Sequence, residues 1–171
     1  METMHTSFHR FCKLGEEALN ARALSPEAHM GMIHRIWSEI RSLHPDRVVS
    51  FFLDPIPGCV CDADLLRQVW QNLLSNAEKY THGTPSACVK VYFRDGEFCV
   101  EDNGTGFDMQ LAEKLFGVFQ HLHMDKEFDG EGIGLAMARR IVEIHGGGIR
   151  AEGNPGQGAI FRFHLPDEQA P

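Results

Sequence analysis

No stretch of this 171-residue chain holds the roughly 18 consecutive apolar residues that a membrane helix needs, and its N-terminus lacks the apolar core of a secretion signal. No CxxC pair occurs among the five cysteines, Cys12, Cys59, Cys61, Cys88 and Cys99. Their odd number and scattered spacing point to buried thiols rather than to a disulfide framework or a zinc site. Basic residues are in deficit, 16 against 24 acidic, for a formal net charge of -8. That balance argues against a nucleic-acid partner, although a local basic pocket remains compatible with it. The phosphate loop GxxxxGK[ST], a GxGxxG opening a helix, the nucleophile elbow GxSxG and the metalloprotease HExxH are all missing, as are internal repeats and low-complexity tracts. Together these absences predict a cytoplasmic globular protein that needs no disulfides and spans no membrane.

What is present is ordinary core-forming material, 43% hydrophobic and 23% charged residues, enough for one domain with a short appendage. Residues 7–20 carry a short helix-like stripe that breaks at Ser25-Pro26. Met30, Ile33, Ile36, Trp37 and Ile40 then recur at helical spacing up to Leu43. A strand is predicted from Val48 to Leu53. Asp62 is a plausible N-cap for the strongest helix, Ala63 to about Tyr80, whose apolar face is Leu66, Val69, Trp70, Leu73 and Ala77. Asn72, Asn76 and Lys79 fall beside that face at i, i+4 and i+7, an arrangement that suits the floor of a site.

The segment CVKVYFRDGEFCVED alternates with period two about Asp95-Gly96, the pair favoured in a two-residue hairpin turn. Phe98, Val100 and Asp102 share one face of its second strand, so Asp102 is a carboxylate among apolar neighbours and wants a hydrogen-bond donor. A glycine loop, Asn103-Gly104-Thr105-Gly106, follows. A short helical piece is predicted over Leu111 to Phe116, and a further helix with Ile133, Met137, Ile141 and Ile144 on its core side ends at Gly146-Gly147-Gly148. Two closing strands, Gly148 to Glu152 and Ala159 to Leu165, flank a turn over Gly153-Asn154-Pro155-Gly156. The alternate glycines Gly130, Gly132 and Gly134 at the start of that last helix allow three readings: a plain loop, close backbone packing, or amide donors bared to an anion.

The ordered set Asn72/Asn76/Lys79 in NLLSNAEKY, DNGTG at 102–106, FGVF at 116–119, GEGIGLA at 130–136 and GQGAIFRF at 156–163 resembles the asparagine, glycine and phenylalanine boxes of sensor histidine kinase catalytic domains. These belong to the GHKL ATPase superfamily, with type II topoisomerases, Hsp90-type chaperones and mismatch-repair ATPases. The resemblance implies an α+β fold: a two-layer α/β sandwich with a mixed, mainly antiparallel sheet of about five strands covered on one face by about three helices. It implies three regions: the end of a dimerisation-hairpin helix and linker over 1–24, a catalytic ATP-binding domain over 25–166, and a tail over 167–171.

The resemblance also implies ATP and Mg²⁺ as ligands. Asn76, with Asn72 beside it, would supply neutral oxygens to Mg²⁺. Lys79 would be a point charge for phosphate, and Tyr80 would lie against the nucleotide. Asp102 would accept from the adenine amino group, with Gly104 and Gly106 letting the backbone approach. Phe116 and Phe119 would anchor a mobile segment, Gln120 to Asp129, over the nucleotide. Gly130, Gly132 and Gly134, with Ile133 and Leu135, would seat the triphosphate at the helix N-terminus.

Superfamily members that hydrolyse ATP resemble one another in having a glutamate where Asn72 stands, and an amide cannot act as a general base; transfer is favoured over hydrolysis. The implied partners are a dimerisation and phosphoacceptor hairpin of the same protein, in a homodimer, and a response-regulator receiver domain. None of the ten histidines, His9 included, has the H-[DE]-hydrophobic-[RK]-x-P context of a phosphoacceptor, so the acceptor is expected upstream of this chain. Two departures stand out. His121 occupies a position where the family commonly has an arginine or lysine, and Glu131 puts a carboxylate inside the second glycine box. They give some footing to another reading, a pseudokinase that docks a partner. The shared fold also allows a serine kinase of the anti-sigma-factor type. His123 and the EFDGEGIGLA stretch resemble kinases attached to phytochrome-type sensors.

Overall fold

The computed structural model describes residue 9 and residues 12–15, 18–118 and 132–166. Helix α1, Pro26–Leu43, begins where Ser25 Oγ accepts the Ala28 amide at 3.2 Å and proline sits in the first turn, where no backbone donor is needed. Its buried face is His29, Met32, Ile33, Ile36, Trp37 and Ile40. Helix α2, Ala63–Tyr80, is capped by Asp62, whose carboxylate accepts from the Asp64 and Leu65 amides, each at 3.2 Å. Leu66, Val69, Trp70 and Leu73 are buried almost completely along it, worth roughly 1.5–3 kcal/mol each. Helix α3, Gly134–Ile144, stops beside Gly146, whose φ of +83° is one that a side chain rarely adopts.

Two short strands, β1 (Arg22–Leu24) and β3 (Cys59–Cys61), pair antiparallel in a small sheet of their own. The main sheet has the order β2-β4-β5-β7-β6, from β2 (Ser50–Leu53), β4 (Cys88–Arg94), β5 (Glu97–Asp102), β6 (Gly148–Asn154) and β7 (Gly158–His164). Only β2 to β4 is parallel. Asp95 and Gly96 take φ of +53° and +80° in the β4-β5 hairpin, as the Asp-Gly pair predicts.

Register decides what is inside. Phe93, Phe98 and Phe163 form one cross-strand row, Val91, Val100 and Phe161 the next, and Val89, Asp102 and Ala159 the last. These rows face the helices: Trp70 of α2 stands edge-on to Phe98 at 6.0 Å and to Phe163 at 5.1 Å between ring centroids. The alternate rows, such as Tyr92, Cys99 and Arg162, lie on the other face. The architecture is the expected two-layer α+β sandwich, with a five-stranded mixed sheet and helices on one face. No helix among the described residues is long and apolar enough to cross a membrane.

Three details differ from the sequence reading. The edge strand begins at Ser50 rather than Val48, because its neighbour β4 begins at Cys88, the partner of Ser50, and Val48 is left 90% exposed. The piece expected over 111–116 is a 3-10 helix, Met109–Phe116, capped by Asp108. Residues 22–24, assigned to the linker, form β1.

Candidate functional site

Asp102 ends β5 in the last of the helix-facing rows, 5% exposed. Its Oδ1 accepts the Gly104 amide at 2.9 Å, and it also takes a bond from the Ala159 amide. Burial nevertheless dominates and raises its pKa to about 6, so the carboxyl lacks enough donors to ionise freely. A buried acid in that condition is what a ligand's amino group would relieve.

The loop that follows is held from two sides. The Thr105 amide donates to the Tyr80 carbonyl at the end of α2 at 3.0 Å, and the Gly156 amide of the β6-β7 turn donates to the Thr105 carbonyl at 2.7 Å. Gly106 has φ of +61°, and a Cβ there would meet the carbonyl of Gly158 at 2.6 Å. The Thr105 hydroxyl is buried without a hydrogen-bond partner among the described residues.

Tyr80, Asp102, Gly106, Phe107, Leu115, Leu135, Ala159 and Phe161 line one narrow pocket of about 20 Å³. Of these, Phe107, Leu115, Ala159 and Phe161 escaped the sequence reading. Ala159 and Phe161 were within reach of it, since each sits opposite an inner-face residue of β5, Asp102 and Val100 respectively. Burial pushes the Tyr80 phenol up, and the Lys79 ammonium lies 5.5 Å from the Tyr80 ring centre.

The second wall is the start of α3. Ile133 precedes it and supplies no side-chain cap to the first amides of the helix. A Cβ added at Gly134 would lie 3.0 Å from Asn72 Oδ1, which brings the bare helix start against the polar edge of α2. Asn72 and Asn76 are both half-buried on that edge. Gly132 has φ of +65°. Ile133, an expected ligand contact, has its side chain in the core at 2% exposure, leaving its backbone as the part that can face a ligand. Phe116 meets Phe161 edge-on at 6.3 Å, with the Arg139 guanidinium 6.0 Å from its ring centre, so it fastens the 3-10 helix to β7 and α3.

The structure thus brings Asn72, Tyr80, Asp102, Gly104, Gly106, Gly134 and Leu135 to one end of the sandwich, with Asn76 and Lys79 on the same helix. Phe119, His121, Gly130 and Glu131 lie outside the described residues. The donor set suits an adenine nucleotide: a buried acid short of donors, glycines where a Cβ would fill the space, and uncapped amides beside two carboxamides. Among the described residues no group of three or more His, Cys, Asp or Glu could hold a metal ion alone, so a divalent ion here would rely on asparagine oxygens and phosphate.

Phytochrome-like protein Cph1 of Synechocystis is 41% identical over 115 residues, covering 65% of this chain and 15% of that protein. Adaptive-response sensory kinase SasA of a Synechococcus is 32% identical across 97% of this chain and 45% of its own length. The chain therefore spans less than half of either relative. Among solved structures, full-length ShkA in complex with AMPPNP superposes with a TM-score of 0.77 at 24% identity, over 95% of this chain and 35% of that one. The mycobacterial sensor histidine kinase MprB gives a TM-score of 0.68 at 23% identity, over 85% of this chain and 97% of that one. These structural likenesses establish the fold. Residues 61–169 match the model of the histidine kinase-, DNA gyrase B-, and HSP90-like ATPases, and the chain belongs to that family.

Proposed function

We propose that this chain is the ATP-binding catalytic domain of a two-component sensor histidine kinase, which passes the γ-phosphoryl of ATP to a histidine outside the chain, for relay to a response-regulator aspartate. The observation that carries the proposal is Asp102, an acid buried in the last row of the sheet, lining a pocket, with only two backbone donors among the described residues against the cost of burial. Asp102 accepts from the purine amino group, and Gly104 and Gly106 keep the loop slim enough for that approach. The amides at the start of α3 take phosphate oxygens, where the helix dipole favours negative charge. Asn76 and Asn72 would hold Mg²⁺, and Lys79 would add a positive charge. A bound Mg²⁺ would supply positive charge to the phosphate oxygens.

Asn72 has no proton-accepting group strong enough to activate water, which favours transfer over hydrolysis. The pocket of about 20 Å³ has room for a water but not for a purine, so its walls must part to admit the base. His121, on the segment 120–129 proposed to cover the nucleotide, would add a pH-dependent cation, and Phe119 just before it an apolar anchor. A cytoplasmic setting and a homodimer complete the proposal.

Calorimetric titration with a nonhydrolysable ATP analogue, with and without Mg²⁺, tests the binding step. Adding a separately produced hairpin that bears the acceptor histidine, with labelled ATP, tests transfer. Acid-labile, base-stable label on histidine is the expected result. Binding without transfer, or label on a partner serine, would overturn the kinase assignment.

A further inference from the structure

The β3 strand places two thiols side by side. Cys59 and Cys61 are at i and i+2, hence on one face of the strand, and their sulfurs are 3.7 Å apart with the Cys59 thiol directed at Cys61 Sγ. The hydrogen bond from Cys59 draws the Cys61 thiol below its ordinary pKa, and the same pairing with burial pushes Cys59 up. One sulfur is thus disposed to ionise while its neighbour holds the proton.

A disulfide needs sulfurs about 2.05 Å apart, well inside the 3.7 Å found, so the two thiols are in contact and unbonded. One atom bonded to both sulfurs at about 2.3 Å each can span any separation up to about 4.6 Å, so the pair at 3.7 Å lies within reach of a single bridging centre. Among the described residues no third His, Cys, Asp or Glu completes a metal site, so the fitting centre takes two sulfurs from the protein and brings its own third substituent. Cys59 lines an open cleft of about 520 Å³ whose wall includes Leu24, Val60 and Phe98, which gives an approach and an apolar seat for that substituent. Cys61, two residues along the strand, is 1% exposed.

We infer that Cys59 and Cys61 form a chelating dithiol for a soft, thiophilic centre with two exchangeable valences and one apolar substituent, the chemistry of a trivalent organoarsenical. In the capture step two As–O bonds of R–As(OH)₂ break and two As–S bonds form. Each thiol proton leaves with a hydroxide as water, and no atom changes oxidation state. The site shares no lining residue with the purine pocket. Its position matters because β3 runs directly into Asp62, the cap of α2, and pairs Leu24 with Cys59 and Arg22 with Cys61 in β1. The Asn20 amide also donates to Asp62 Oδ2 at 3.2 Å, and the Asp62 amide donates to His145 Nε2 at 3.0 Å. A bridged dithiol would therefore stiffen the junction between the chain entering the domain, α2 and the end of α3.

The test uses the full chain, reduced with a phosphine and mixed with phenylarsine oxide, read by intact-mass spectrometry. One adduct per chain is expected, retained in excess 2-mercaptoethanol and removed by 2,3-dimercaptopropanol. Two-point attachment is worth about 10²-fold or more in retention, so Cys59→Ser and Cys61→Ala should each lose the adduct to the monothiol, while Cys12→Ser and Cys88→Ser keep it. Displacement from the unaltered chain by the monothiol overturns the inference, as does equal retention in Cys59→Ser. If Cys61→Ala fails to fold by circular dichroism, the half-buried Cys59→Ser variant decides alone.

Discussion

The Thr105 amide and the Tyr80 carbonyl are joined at 3.0 Å, so the glycine loop after β5 rests on the last turn of α2. A side chain at Gly104 would drive into that same carbonyl and reach 2.9 Å from Asp102 Oδ1. Gly104→Ala must therefore lift the loop off the helix. Overpacking of this kind costs about 1–3 kcal/mol. The expected outcome is a lower urea midpoint together with at least about tenfold weaker binding of an ATP analogue, a factor equivalent to about 1.4 kcal/mol. Gly96→Ala is the control, since its Cβ meets nothing within 4 Å and only its φ of +80° is disfavoured; it should lose stability without a matching loss of nucleotide affinity.

Asp102 links pH to both stability and binding. Its folded pKa of about 6 stands above the ordinary 3.8, so the folded chain holds this proton where the unfolded chain has released it. The contribution to stability is therefore full below about pH 4 and is lost as pH rises through 6. Asp102→Asn removes that dependence, and the nucleotide-free variant should be at least as stable as the parent at pH 7.5, by on the order of 2 kcal/mol. Its nucleotide affinity should fall about hundredfold, because an amide presents a donor where the purine also donates. In the unaltered chain, affinity should rise between pH 5 and 7, and binding at pH 6 should release a proton, read as a buffer-dependent heat. Binding heats independent of buffer ionisation would contradict the adenine assignment.

How far this site could be read from the chain depends on the range of each interaction. Asp102 was legible because a period of two puts it in line with Phe98 and Val100, and α2 because Asp62 caps it and its apolar residues recur at helical spacing. The β1-β3 pairing was not legible, since strands of three residues carry no period and their partners are far apart in sequence. The surroundings of Glu78 were equally hidden. In NAEKY it reads as one more surface acid, yet it falls on the buried face of α2 beside Ala77, and its partners arrive from 31 to 37 residues away.

Glu78 supplies the sharpest stability contrast. It is 4% exposed, and Oε1 faces Arg41 at 3.4 Å, His44 at 3.2 Å and, closest, Arg47, whose guanidinium also donates to the Glu78 carbonyl at 2.7 Å. Glu78→Gln leaves two largely buried arginines without their counter-charge, at a cost of about 3 kcal/mol. Glu39→Gln removes a pair with Arg67 whose side chains are 57% and 38% exposed, and should cost under about 1 kcal/mol. Denaturant midpoints of the two variants should differ accordingly. Because Lys79 and Tyr80 follow Glu78 directly, nucleotide affinity should fall in the first variant and hold in the second.

His29 imposes the opposite pH dependence from Asp102. It is fully buried between α1 and the sheet, with Nε2 accepting the Trp70 indole N–H at 2.9 Å and Nδ1 3.0 Å from the Pro57 carbonyl. An indole nitrogen can only donate, so Nε2 must be the acceptor and Nδ1 must carry the proton it gives to Pro57. The ring is held neutral, and burial lowers its pKa despite the help of the Pro57 carbonyl. The unfolded chain binds a proton near pH 6.5 that the folded chain refuses, so this stability is present above 6.5 and drains away as pH falls below it. Protonation would also leave two N–H groups facing each other at Trp70. In an Asp102→Asn background, where the opposing slope is gone, urea midpoints should decline from pH 7 to 5. His29→Gln, which can still accept from Trp70 but does not titrate, should flatten that decline while lowering the midpoint at pH 7.5 by about 1–2 kcal/mol for the altered core shape. An unchanged slope in the glutamine variant would show that the acid sensitivity lies elsewhere.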